Sequence, residues 1–135
     1  MEKLNFIQAL TNANKEQLQR ISKADLHNHA VFSCDRAYLI KKGIDIPSNE
    51  RVNNIADLIS FARKYIKPLQ NNIDGLTKLL NGTFEKCLET GVSVVDTDID
   101  YKICIQVFDN NVNNFVEFLK AFKYNNLQIR WIIDI

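Results

Sequence analysis

"KADLHNHAVFS", residues 23–33, contains both histidines of the chain, one residue apart. Ala24-Asp25-Leu26 reads as a short strand running into them. On a strand, positions i and i+2 face the same side, so the His27 and His29 imidazoles are expected to converge at the strand's carboxyl end. Two neutral imidazoles aimed at one point make half of a metal site, and zinc is the ion that such ligands most often hold. The plainer reading is two polar residues on a solvated strand end.

Outward from this strand the pattern alternates. Upstream, Leu4, Ile7 and Leu10, then Leu18 and Ile21, suggest two short helical segments. Downstream, "DRAYLIKKGIDIP" (35–47) reads as a short helix ended by Gly43. "NNIADLISFARKYIKPL" (53–69) places Ile55, Leu58, Ile59, Ala62, Tyr65 and Ile66 at amphipathic-helix spacing, with Pro68 expected to stop it. "IDGLTKLLNGTFEKCLET" (73–90) repeats the pattern through Leu76, Leu79, Leu80, Phe84 and Leu88, and Gly91 stands where a left-handed cap is expected.

"VSVVDTDID" (92–100) then switches to period two with β-branched residues, which predicts a strand carrying Asp96, Asp98 and Asp100 on one face. "NNVNNFVEFLKAFKYNN" (110–126) is helical again, and "QIRWIIDI" (128–135) is a third strand. Strands separated by helices predict an α/β chain with a parallel sheet. In such sheets the chemistry gathers at the carboxyl ends of the strands, where His27 and His29 fall.

Composition narrows the function classes. The 135 residues suit one domain, and a formal charge of +1 with 46% hydrophobic residues leaves no electrostatic footprint for nucleic acid or a membrane surface. The first twenty residues lack the apolar core of a signal peptide, and no run approaches a membrane span. Cys34, Cys87 and Cys104 are an odd number without a C-x-x-C. Reduced thiols and a cytoplasmic location are therefore expected.

The run "ISKADLHNHAVFS", followed by "YLIKKGIDIP", "LISFARKYIKPL" and "TFEKCLETGVSVVDTD", resembles the N-terminal part of adenosine deaminases and their relatives in the metal-dependent amidohydrolase superfamily. The resemblance implies a TIM (β/α)8 barrel that uses zinc to deaminate a purine at C6, with water as the nucleophile and ammonia as the product. By the same match His27 and His29 are two metal ligands, and Leu58, Ile59 and Phe61 lie near the purine. Residues 1–135 then correspond to the N-terminal portion of the barrel: the first three parallel strands with their covering helices.

This sequence departs from the family pattern at several points. Val31 and Phe32 stand where an acidic residue and a glycine are usual. Asp96 matches an acidic position, whereas Asp98 stands where an arginine is common. The family's remaining metal ligands and its catalytic groups belong to later strands, and the chain has no third histidine. No catalytic residue is therefore assigned within it, and these residues alone are expected to be inactive toward a purine nucleoside or related small molecule.

Two other readings stand beside this one. "DLHNHAVFSCD" also resembles the opening of PHP-type metal-dependent phosphoesterases, with Ser33 and Asp35 in place but Ala30 where a threonine or serine is usual. Alternatively, the chain is a non-catalytic partial barrel that forms a homo-oligomer through exposed sheet edges.

Overall fold

In the computed structural model, which describes residues 2–49 and 51–135 with side chains from position 5 onward, three strands form one parallel sheet in the order β1-β2-β3. They are β1 (Lys23–His29), β2 (Val92–Asp100) and β3 (Gln128–Asp134). Around them run α1 (Glu2–Thr11), α2 (Lys15–Arg20), α3 (Arg36–Lys41), α4 (Ile55–Phe61), α5 (Lys67–Gln70), α6 (Ile73–Glu89), α7 (Lys102–Val107) and α8 (Val112–Lys120). The α/β class and the parallel sheet expected from the sequence are present. The side chain of Leu4 lies outside the described residues.

Period two along β2 sorts its side chains between two environments. Val95, Thr97 and Ile99 are buried on the helix side, while Asp96 and Asp98 keep partial exposure on the other. Against the buried side packs α6, whose Leu76, Leu79, Leu80 and Phe84 are fully buried at helical spacing. Ile103 and Cys104 of α7 and Phe115 and Leu119 of α8 complete this core. Phe84 also meets Trp131 of β3 edge-to-face, with ring centroids 5.5 Å apart, which ties the third strand to the same helix.

Two glycines carry the close approaches. Gly91 caps α6 with φ +80°, and a Cβ there would collide with the backbone carbonyl of Gln19. At Gly82 a Cβ would run into the Cys34 sulfur and the Tyr38 ring, so α6 lies tight against the segment that follows β1.

Several expected boundaries are corrected. Pro68 does not end its helix: α4 runs into a π-helical turn, Ala62–Ile66, and the chain resumes as α5 with Pro68 in its first turn. There its missing N–H has no partner to lose, and the wide turn, with Lys67 N–H on the Ala62 carbonyl, absorbs the ring. The apolar stripe of α4 is not core either, because Ile55, Leu58 and Ile59 are exposed.

Helix α8 stops at Lys120 instead of reaching position 126. Phe122 and Tyr124 leave the helical path to pack on Phe84, the Tyr124 hydroxyl donates to Asn81 at 2.7 Å, and the chain bends through a Tyr124–Leu127 bridge. Helix α7 was not expected. Its N-cap is Tyr101, and the first helical N–H, that of Lys102, donates to Asp100 Oδ1 one residue before the cap at 2.8 Å.

Candidate functional site

The site begins with an irregularity in β1. Pairing with β2 shifts once between Lys23 and Ala24 and again between Asp25 and Asn28, then resumes with Asn28 opposite Thr97 and His29 opposite Asp98. Asn28, at 8% exposure, points to the helix side, where Thr97 Oγ1 donates to its carbonyl oxygen at 3.3 Å and its own amide donates to Asp25 Oδ2 at 2.9 Å. That anchored residue separates two exposed histidines. Their rings lie on the opposite side, 4.9 Å apart between centroids and inclined at 84°.

The convergence expected of His27 and His29 is therefore realised. The Nδ1 of His29 lies 2.9 Å from Asp98 Oδ2. A carboxylate can only accept, so Nδ1 is the donor in this contact, and in the neutral ring the lone pair then lies on Nε2. The other aspartates of β2 are engaged elsewhere: Asp96 pairs with Arg130 of β3, and Asp100 accepts from the backbone of Lys102. All of these groups share the sheet face that the core helices leave uncovered.

The backbone beyond His29 is held firmly. The His29 carbonyl accepts from Phe32 N–H at 3.0 Å and from Ser33 N–H at 2.9 Å, and Ala30 N–H donates to the Asp98 carbonyl at 3.0 Å. From beneath, the buried Thr83 hydroxyl of α6 donates to the Ala30 carbonyl at 2.7 Å. Asp35 then caps α3, accepting from Ala37 N–H at 2.7 Å, and pairs with Lys86 at 2.8 Å. The Lys86 ammonium, aided by the cap bonds, holds the Asp35 carboxyl below the usual aspartate range. Next to it, burial, with the Asp35 and Glu85 charges, pushes the Cys34 thiol up to about 12.

Leu58 and Phe61 line a small apolar notch with Phe32, Leu39 and Ile66. It holds about 50 Å³, too little to enclose a purine base, and neither His27 nor His29 lines it. The Arg36 guanidinium stacks 4.6 Å from the Phe61 ring centroid. Ile59 does not line the notch.

An imidazole with one nitrogen anchored, as His29 has through Asp98, is chemically suited to zinc. Among the described residues no three His, Cys, Asp or Glu side chains stand together as a complete ligand set, so the histidine pair could supply at most half of a tetrahedral shell. Reading the sequence did not find the His29–Asp98 contact or the Thr83 support. Both depend on which residues of distant segments end up opposite one another.

Comparisons with family models, with curated proteins and with solved structures find no match to this chain. No helix among the described residues is long and apolar enough to cross a membrane.

Proposed function

We propose that residues 1–135 form the first three βα units of a TIM-type barrel belonging to an adenosine-deaminase-like zinc aminohydrolase, with His27 and His29 as two of its metal ligands. One observation carries the reading: two histidine rings 4.9 Å apart at the carboxyl end of the first strand of a parallel sheet, on the face no core helix covers. In a barrel that face is the interior, and its carboxyl-end rim is where catalysis resides. Further strands would supply the other ligands and the proton-transferring groups.

Within this reading each residue has a defined task. His27 and His29 hold the metal, which when bound supplies the Lewis acidity that activates water near neutral pH. Leu58 and Phe61, with Phe32, offer an apolar wall for one face of a purine or similar planar base. Ile59 is exposed on the same helix and would meet substrate only if a later segment closed over it. Three free thiols suit a reducing, cytoplasmic setting.

Self-association belongs to the same proposal. Strands β1 and β3 are the two edges of the sheet, and β3 exposes Ile132 and Ile133. Copies of residues 1–135 would pair through these edges.

The test is a spectrophotometric deamination assay with adenosine and simpler purines, comparing residues 1–135 with a chain that carries the remaining strands. Zinc-dependent turnover is expected only in the longer chain, and His27→Ala or His29→Ala should abolish it with the fold intact. An active double variant would refute the site. Robust turnover by residues 1–135 alone would refute the division of labour among the strands.

A further inference from the structure

The uncovered sheet face carries one contact that the zinc reading does not itself require. His29 and Asp98 are register partners on adjacent parallel strands, so the backbone pairing sets their side chains beside each other. The 2.9 Å contact between Nδ1 and Oδ2 follows from that placement. The second oxygen of the same carboxylate, Oδ1, is shut off from solvent and has no hydrogen-bond partner among the described residues.

The neighbouring charges do not compete for Asp98. Arg130, the cation that β3 places on this face, is paired with Asp96, and Lys102 lies by Asp100. His29 is thus the side chain to which the Asp98 carboxylate is committed, and a carboxylate accepts one specific tautomer, the one protonated at Nδ1. Free histidine prefers the other.

We propose that Asp98 is a positioning residue for His29. It fixes the ring orientation, holds the proton on Nδ1 and leaves Nε2 as the nitrogen presented to the metal. This rests on the reading of His27 and His29 as ligands, but its first consequence is visible without any metal. In this role Asp98 acts through His29.

The experiment has two arms on residues 1–135. In the first, the chain is labelled with imidazole ¹⁵N and studied without metal by long-range ¹H–¹⁵N correlation above neutral pH. His29 is expected as the Nδ1–H tautomer in the parent and as the Nε2–H form in Asp98→Ala. In the second, zinc affinity is measured by competition with a chromophoric chelator. It should fall about 10- to 100-fold in Asp98→Ala. Asp98→Asn, which keeps the side-chain volume and an accepting oxygen, should fall less, and serves as the folded control if Asp98→Ala loses structure.

A parent His29 protonated at Nε2 overturns the proposal whatever the metal does. The expected tautomer with zinc affinity unchanged in both Asp98 variants, while His27→Ala still loses zinc, overturns the positioning role and leaves the ligand assignment standing. Zinc binding indifferent to His27→Ala and His29→Ala overturns the ligand assignment, and the positioning role with it, even if the tautomer is as expected.

Discussion

Replacing Thr83 by valine would remove one hydroxyl and almost no volume. Thr83 is 1% exposed and Ala30 is fully buried, so no water can take over the 2.7 Å bond between the Thr83 hydroxyl and the Ala30 carbonyl. Leaving that acceptor unsatisfied should cost about 1–3 kcal/mol, in the upper half of the range because both partners are enclosed. For a domain of this size each kcal/mol corresponds to roughly 3–5 °C in Tm, so a fall of roughly 6–15 °C is expected. Ala30 directly follows His29 and also bonds to the Asp98 backbone, so the loss should loosen the histidine turn as well. Thermal and urea unfolding followed by circular dichroism would measure the first effect, and amide exchange at residues 30–33 the second. A Thr83→Val chain within about 0.5 kcal/mol of the parent, a change typical of an unimportant surface site, would refute the claim that α6 holds this turn in place.

Gly91→Ala should destabilise by more than about 1 kcal/mol, because φ is +80° there and the new methyl would strike the Gln19 carbonyl; urea midpoints would show it. Phe84→Ala should cost about 3–5 kcal/mol and quench the near-ultraviolet signal of the Phe84–Trp131 pair, read by circular dichroism. Asp35 has a folded-state pKa below its unfolded value of about 3.9, so its stabilisation is present above that pH and drains away as pH falls through the lower folded value; Asp35→Asn should flatten this acid limb of a stability-versus-pH curve. Cys34 and Cys87, with thiols pushed up to about 12 and about 11, should label with an alkylating reagent far more slowly in the folded chain than in urea. Light scattering over a dilution series should show association of residues 1–135, and a monomer at every concentration would rule it out.

Local pattern carried the reading wherever one face of an element is buried. The period-two run at 92–100 and the 3.6-period run at 73–90 are both packed on one side, so their burial is written directly into the order of residues. The same logic misjudged 53–69. There apolar residues at helical spacing proved exposed, and Pro68 was accommodated by a π-turn that no composition rule announces. The α8 boundary was lost to tertiary packing, since Phe122 and Tyr124 gain more against Phe84 than from continuing a helix.

At the site, the convergence of His27 and His29 was legible because it follows from spacing within one strand. The part played by Asp98 was not. It depends on the register between β1 and β2, which contains a shift after Asp25, and alternation within either strand alone cannot locate that shift. The Thr83 support is likewise a bond across fifty-three positions of sequence.

The central claim, that the two histidines act together as metal ligands, is tested most directly by titrating zinc into residues 1–135 while following the ¹⁵N-labelled imidazoles of both. Spaced as they are at the end of β1, the His27 and His29 signals should shift together and saturate at one zinc per chain, and His27→Ala should weaken the response of His29. Zinc that leaves both rings unmoved, or that shifts one with the other indifferent to its replacement, would contradict the account.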